Sequence, residues 1–301
     1  MRTTIGDKHM DEKVALLALL QGSSLRWSEI AGMVEERGSA SALLSEPQIG
    51  QQHLFEGTDD QEGRLESAAT LLRQWEAEGI HFATLLDDEY PSQLLSIHQR
   101  PPFITWRGKQ SSSDWRGVAV VGTRHPSPEG IQCASWLAEE LAFRDVTVIS
   151  GLAAGIDTAA HLGALRAGGR TVAVIGTGLR ISYPKENRVL QGQIAELGMV
   201  LSQFLPDSPP SKISFPMRNA VMSGFASATV VIEAGAKSGA RMQARLALQH
   251  GRPVLLMDQL RQHDWARNIG ERPGAYFVSS IEEIIAILDR INSRSDQLID
   301  S

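Results

Sequence analysis

Two neighbouring stretches decide the fold: GVAVVGTRHPSPEG at residues 117–130 and VTVISGLAAGID at residues 146–157. In each stretch, a short run of β-branched and small apolar residues ends in a glycine-containing turn, and a helical pattern follows. Two further units of this kind begin at Thr171 and Ala228. Four successive strand–turn–helix units predict a parallel sheet, because parallel neighbours need a right-handed crossover between them.

The strand segments are continuous apolar runs, which is typical of a sheet with helices on both faces. We therefore predict an α/β fold with an extended Rossmann-like, doubly wound and mostly parallel sheet, preceded by a small all-α N-terminal module. The predicted organisation is a helical module at 1–80, extension strands and a polar hinge (Gln110–Asp114) at 81–115, the Rossmann-like domain at 116–291 with its last helix at 281–291, and a tail at 292–301.

Helical periodicity over residues 11–45 and 62–78, interrupted at Gly22 and Gly38, predicts the N-terminal module. We predict a module of SAM or helix-hairpin-helix type, whose short helices can contact a DNA backbone or serve as a packing unit. Residues 1–115 hold 10 Lys and Arg against 18 Asp and Glu, a net charge of −8 that favours the packing role.

The composition is that of an ordinary globular protein, with 42% hydrophobic and 21% charged residues in 301. No apolar run reaches the roughly 18 residues that span a bilayer, and the N-terminus carries no signal-peptide core. We therefore expect a cytoplasmic protein without membrane contact. The single cysteine, Cys133, is predicted to be a buried structural thiol.

The charge is distributed unevenly along a chain whose net charge is −6. Residues 116–270 hold 16 Lys and Arg against 11 Asp and Glu, so the α/β segment has a net charge of +5. A local phosphate-binding face explains this excess, and chance scatter of surface charge explains it equally well.

The four glycine-containing turns are predicted to meet at one edge of the sheet, where open α/β sheets bind ligands. We number them turn one (Gly122–Arg124), turn two (Ser150–Asp157), turn three (Gly176–Gly178) and turn four (Glu233–Gly239). In turn one, glycine lets the backbone approach an anion and arginine offers a fork of donors that suits phosphate. In turn two, exposed N–H groups and the following helix N-terminus predict an anion site.

Two polar residues of the helix after turn two are predicted to be structural. Asp157 is the expected N-cap of that helix. His161 lies four residues further on and so shares a helix face with Asp157.

Motifs of catalysis and of cofactor binding are missing from the sequence. The fingerprint G-x-G-x-x-G does not follow the first strand of the segment, which leaves NAD binding weakly supported, and G-x-x-x-x-G-K-[ST] is absent. Neither a carboxylate pair, nor metal-spaced His and Cys residues, nor a G-x-S-x-G elbow occurs. We therefore expect no enzymatic activity, no metal site and no cofactor.

The proline-rich segment 208–219 is the most suggestive part of the chain, and it is predicted to be a loop up to residue 216. It places Lys212, Phe215 and Arg218 at intervals of three. An aromatic ring between two cations can stack on a base while the cations bind phosphates. Alternatively, Phe215 packs into the core beneath a helix N-terminus.

Taken in order, these motifs resemble the DprA/Smf family of DNA-processing proteins over residues 86–285. The matching stretches are Tyr90-Pro91, VAVVGTR with Ser127 and Gly130, SGLAAGIDTAAH, TVAVIGTGL with Tyr183-Pro184 and Glu186-Asn187, FPMRN with Gly224, and VVIEAGAKSG. The resemblance implies a protein that binds single-stranded DNA and loads the RecA recombinase onto it during natural transformation of competent cells. It also implies a homodimer, as is usual in the family, and no enzymatic turnover.

The resemblance also implies which residues bind DNA. The predicted nucleic-acid-binding residues are Gly122, Thr123, Arg124, Gly151, Gly155, Lys212, Phe215, Arg218, Asn219, Lys237, Ser238 and Gly239. With the family in view, base stacking becomes the favoured role for Phe215.

Five positions depart from the family pattern. Gln203 replaces Glu, Ala220 replaces Arg, Ala240 replaces Ser and Gln243 replaces Thr. Asp258, followed by Gln259, stands where the family has Pro-Gly. The loss of a cation and a hydroxyl is expected to weaken or retune DNA binding. The sequence also ends before the C-terminal winged-helix domain of many members, so we expect a divergent member. A role in defence against foreign DNA stays open as an alternative to transformation.

A second function class stays open at this point: a nucleotide sensor, or a phosphoribohydrolase-like member of the wider Rossmann-like superfamily. The phosphoribohydrolases carry a Pro-Gly-Gly-x-Gly-Thr motif followed by Glu. Turn four lacks that motif, which counts against hydrolysis.

Overall fold

The computed structural model describes residues 5–23, 25–45 and 61–299. The strands are β1 (His81–Thr84), β2 (Phe103–Gly108), β3 (Val118–Val121), β4 (Val148–Ser150), β5 (Thr171–Val174), β6 (Met199–Ser202), β7 (Ala228–Val231), β8 (Val254–Met257) and β9 (Ala275–Val278). The α-helices are α1 (Ile5–Gly22), α2 (Trp27–Arg37), α3 (Ala40–Ser45), α4 (Gln61–Ala77), α5 (Ser92–Leu95), α6 (Pro128–Ala142), α7 (Ile156–Arg166), α8 (Arg188–Leu197), α9 (Ser214–Phe225), α10 (Gly239–Gln249), α11 (Asp264–Gly270) and α12 (Ile281–Ile299).

The strands form one nine-stranded sheet in the order β1-β2-β6-β5-β4-β3-β7-β8-β9. All pairings from β6 to β9 are parallel, and β1 and β2 add an antiparallel pair beside β6. In the centre, Val118 of β3 pairs with Val148 on one side and with Ala228 on the other. The structure thus confirms the predicted extended Rossmann-like, mostly parallel sheet.

Helices cover both faces of the sheet, which explains why the strands contain so few polar residues. All four residues of β3 are buried. On one face, α6 begins with Ser127 as its N-cap and Pro128 in its first turn, and it buries Leu137 and Leu141 completely. The other face is covered mainly by α9, α10 and α11.

The N-terminal helices pack directly on the sheet. Leu16 and Leu17 of α1 are completely buried in a cluster that includes Ile175, and the ring of Trp27 lies edge-on to Phe103 at 5.2 Å between centroids. As predicted, α2 ends at Gly38, whose φ of +66° is the left-handed conformation that glycine favours. Residues from both sides of the predicted boundary at residue 80 therefore share one hydrophobic core. The domain boundaries at 80, 115 and 291 stay predictions.

Two predictions about irregular segments were wrong. The expected polar hinge at 110–114 overlaps a 3-10 helix, Ser112–Arg116, in which buried Asp114 bonds Arg170 Nε at 2.6 Å. The last helix continues to Ile299 instead of ending at Ile291, so it includes most of the expected tail.

Two smaller expectations concern Cys133 and membranes. Cys133 is half-buried rather than buried, and burial raises the pKa of its thiol. In the ranges that the structure describes, every helix is too short or too polar to cross a membrane.

Candidate functional site

A cleft of about 500 Å³ opens where turn one, after β3, meets turn four, after β7. The chain adds β4, β5 and β6 on one side of β3 and then returns to place β7 on the other. Ligands of open α/β sheets bind at this kind of reversal. We call it the turn cleft. The predicted residues that line it are Gly122, Thr123, Arg124, Phe215, Arg218, Asn219, Lys237, Ser238 and Gly239.

Three predicted residues, Gly151, Gly155 and Lys212, do not line the turn cleft. Gly155 has a φ of +84° and lies under turn one, where a side chain would overlap the Thr123 carbonyl. Gly151 lies against the guanidinium of Arg218, which a side chain at residue 151 would overlap. Lys212 is exposed in the turn before α9. The two glycines thus allow turn one and Arg218 to pack closely against turn two, beneath the cleft.

Glu233 of turn four holds turn one in place. The Thr123 amide donates to the Glu233 carbonyl oxygen at 2.7 Å. The Glu233 carboxylate accepts from the amide and the hydroxyl of Ser127, at 3.1 and 2.8 Å. This carboxylate therefore occupies the N-terminus of α6, and Arg124 is an exposed cation of turn one.

Asp157 occupies turn two, where the sequence predicts exposed N–H groups. Its Oδ2 accepts from the amides of Gly151 and Ala153 at 3.2 and 3.3 Å. The predicted N-cap role was wrong: Gly155 is the N-cap of α7, and Asp157 lies in the first turn. Turn two is therefore satisfied by the chain itself and presents fewer free donors than predicted.

Arg218 is a buried cation rather than an exposed one, with 6% of its surface accessible. Its Nη1 donates to the carbonyl oxygens of Val174, at 2.9 Å, and of Gly151, and its Nε donates to Asn219 Oδ1 at 2.9 Å. Burial lowers the pKa of Arg218, an effect that the Asp157 carboxylate opposes. Burial likewise raises the pKa of Asp157 against the opposing effect of Arg218.

These bonds define what Arg218 can offer to a ligand. Its Nε and Nη1 are engaged, while Nη2 forms no hydrogen bond with any residue that the structure describes. Arg218 lines the turn cleft. It therefore fixes turn two to β5 and leaves one nitrogen of the fork unbonded.

Phe215 lies in a helix, not in the loop that the sequence predicts. α9 begins at Ser214, three residues earlier than expected, because Pro216 fits the first turn of a helix. The half-buried ring rests on Gly176 of turn three. It lies 5.4 Å from the Arg124 guanidinium carbon and 5.4 Å, centroid to centroid, from the ring of Tyr183.

The position of Phe215 combines features of both predicted roles. One side of the ring packs on backbone, as a core residue would, but the side chain stays partly accessible and lines the turn cleft. Tyr183 beside it is 42% exposed. The two partly accessible rings, tilted by 42° to each other, form a surface that we call the aromatic platform.

Sequence reasoning missed Tyr183, His125 and Gln243 as site residues. His125 and Gln243 line the turn cleft, and Tyr183 contacts Phe215. The Tyr183–Pro184 motif was a weak signal for the first. His125 directly follows Arg124, and Gln243 is identified from the sequence only as a departure from the family pattern; neither fact predicts that the side chain reaches the cleft.

His161 has the structural role that the sequence predicts. It is completely buried, and its Nδ1 lies 2.7 Å from the hydroxyl of Thr171, which itself donates to the Val148 carbonyl oxygen. That hydroxyl must therefore accept, so Nδ1 carries the imidazole proton. Burial, with Arg218 nearby, lowers the pKa of His161 to about 3 and keeps the ring neutral.

The departures from the family pattern fall in different places. Ala240 and Gln243 line the turn cleft. Gln203 and Ala220 line a separate cavity on the other side of α9. Asp258 is exposed and pairs with Arg261. Both positions that lose a hydroxyl, Ala240 and Gln243, therefore line the cleft, whereas Ala220, where the family has a cation, does not.

The sequence model of the family described as DNA recombination-mediator protein A matches residues 81–289. The chain belongs to this family. Its relatives include DprA of Streptococcus pneumoniae, 36% identical over 208 residues that cover 67% of this chain and 72% of that protein. Protein Smf of Synechocystis is 39% identical over 187 residues, which cover 61% of this chain. The match spans only 47% of that Smf protein.

Two solved DprA structures agree with this assignment. The X-ray structure of S. pneumoniae DprA superposes with a TM-score of 0.68 and 28% identity, covering 95% of this chain and 98% of that one. DprA of Helicobacter pylori superposes with a TM-score of 0.61 and 30% identity over 70% of this chain and 96% of that one. The H. pylori structure describes a single-stranded DNA binding mode of that protein.

Proposed function

We propose that this DprA-family chain binds single-stranded DNA in the turn cleft. The observation that carries the proposal is the platform formed by Phe215 and Tyr183, with the Arg124 guanidinium 5.4 Å from the centre of the Phe215 ring. Single-strand binders combine such rings with a cationic groove, because every base has a face that stacks. Bases would stack on the Phe215 and Tyr183 rings.

Phosphates would bind to the two exposed cations that face each other across the turn cleft. Arg124 belongs to turn one and Lys237 to turn four, and both line the cleft. In the described part of the chain, neither forms an ion pair. Their charge is thus available to a polyanion. The unbonded Nη2 of Arg218 would supply a third donor from the floor.

The biological role, the oligomeric state and the location of this chain are proposed from its family. We propose that the bound strand serves RecA loading during natural transformation, that the chain acts as a homodimer, and that it is cytoplasmic and not an enzyme. The DprA relatives are DNA-processing proteins by name, and the H. pylori protein binds single-stranded DNA. A role in defence against foreign DNA would use the same binding step, so the proposal includes it as an alternative to transformation.

Fluorescence anisotropy tests the binding step. Labelled single- and double-stranded oligonucleotides of equal length are titrated at two salt concentrations. We expect tighter binding of the single strand and an affinity that falls as salt rises, because phosphate contacts release counterions. Equal affinity for both forms, or no binding of the single strand at low salt, would contradict the proposal. Addition of RecA to the preformed complex then tests the loading step separately.

A nucleotide sensor is the second candidate, and the volume of the turn cleft favours it. About 500 Å³ lies within the range of small-molecule sites. Hydrolysis fits less well, because Ser127 binds the Glu233 carboxylate and Glu233 does not line the cleft. Thermal-shift measurements separate the candidates: a large shift with a mononucleotide and none with an oligo-dT strand would favour sensing.

A further inference from the structure

A second groove adjoins the turn cleft between α10 and α11. It has a volume of about 420 Å³ and shares Lys237 and Ser238 with the cleft. We call it the α10 groove. Of the described residues that line it, four are cations and none is acidic; the cations are Lys237, Arg241, Arg245 and Arg272. The two grooves thus form one continuous surface that becomes more basic away from Phe215.

Two of these cations lie on the same face of one helix. Arg241 and Arg245 are four residues apart in α10, so their side chains share a face and lie about 6 Å apart along the axis. Both are exposed. Lys237 lies just before the helix, on the side of the turn cleft. The three form a row that leads from the cleft along α10.

The charges of this row are not neutralised within the chain. Across the described residues, Lys237, Arg241, Arg245 and Arg272 form no ion pair. By contrast, Arg144, two residues after α6, pairs with Glu140, and Arg166 at the end of α7 pairs with Glu139. Like charges four residues apart destabilise an isolated helix. An external polyanion would relieve that repulsion in α10.

We propose that the α10 groove binds the phosphates of the same single strand after it leaves the turn cleft. The inference rests on the proposed function and deepens it: the turn cleft takes bases, and the row Lys237, Arg241, Arg245 takes backbone, with Arg272 on the opposite wall. Binding should therefore depend on strand length. Nucleotides beyond those held in the cleft add affinity only while the row is intact.

The experiment uses Arg241→Gln/Arg245→Gln in the full chain and oligo-dT strands of about six and about twenty nucleotides. We expect unchanged affinity for the short strand. For the long strand, affinity should fall and the slope of log K against log salt should drop by about 1.4, or 0.7 for each lost phosphate contact. The matched control is Arg144→Gln/Arg166→Gln, which removes the same charge at the opposite edge of the sheet and should leave both strands unaffected.

Each other outcome has its own meaning. If the wild-type chain binds the long strand and the Arg241→Gln/Arg245→Gln variant binds it equally well, the proposal for the groove is overturned while the proposed function stands. The same holds if the variant weakens both strands alike, since the row would then act on the turn cleft itself. If the wild-type chain binds neither strand, both proposals fail together.

Discussion

The Nη1 atom of Arg218 donates a hydrogen bond to the carbonyl oxygen of Gly151, which joins α9 to turn two. The bond requires glycine at residue 151, because a side chain there would overlap the guanidinium. The same nitrogen also donates to the Val174 carbonyl oxygen at 2.9 Å, so one arginine side chain joins α9 to both turn two and β5. Beneath the turn cleft, these bonds thus form a buried network that links α9, turn two and β5.

Gly151→Ala tests that network. The new methyl group must displace the Arg218 guanidinium, so we expect a loss of about 1–3 kcal/mol in the free energy of unfolding, as in other overpacked cores. Urea unfolding followed by circular dichroism measures it. The control is Gly192→Ala in α8, where no atom lies within 4 Å of the added carbon. That change should stabilise the chain by about 0.5–1 kcal/mol; similar effects at both positions would contradict the prediction.

The electrostatic link between Asp157 and Arg218 predicts a coupling between their variants. Arg218→Met leaves a buried carboxylate without its cation and should cost about 3 kcal/mol of unfolding free energy. Asp157→Asn should cost less in the Arg218→Met background than in the wild-type chain. A double-mutant cycle measures this difference, and additive effects would show that the two charges do not interact.

Phe215→Ala should weaken binding of an oligo-dT strand by about 1–3 kcal/mol, because it removes a stacking surface. The ring is only half-buried, so the fold should survive. Phe215→Tyr should retain most of the affinity. Phe143→Ala is the matched control, since Phe143 is 70% exposed just after the end of α6, at the opposite edge of the sheet. Anisotropy titration measures all three, and equal affinities for wild type and Phe215→Ala would contradict base stacking.

Arg124→Gln should lower the salt dependence of single-strand binding. One lost phosphate contact reduces the slope of log K against log salt by about 0.7. The change should be similar for all base sequences, because phosphate contacts carry no sequence information. Titrations of two strands of different sequence at several salt concentrations provide the test. An unchanged slope would remove Arg124 from the interface.

The sequence predicts the sheet well because apolar runs such as Val118–Val121 signal buried strands directly. It predicts the start of α9 poorly, since Pro216 suggests a loop although the first turn of a helix tolerates proline. The burial of Arg218 could not be predicted either. Arginine is usually exposed, and the carbonyl groups that bind it lie 67 and 44 residues away in the chain.

His161 predicts how stability depends on pH. Its pKa is lowered to about 3 in the folded chain, against an ordinary value of 6.5. Between these values the unfolded chain binds the proton and the folded chain does not, so stability should fall as pH drops below about 6.5, by about 1.4 kcal/mol per unit. Other shifted groups contribute to the total slope as well: Asp157, whose pKa is raised in the folded chain, with the opposite sign, and His250, whose pKa is lowered, with the same sign. His161→Gln isolates the histidine: urea unfolding at pH values from about 5 to 7.5 should give a shallower loss for the variant, whatever its stability at pH 7.5. Parallel curves for the two proteins would show that His161 is not kept neutral by burial.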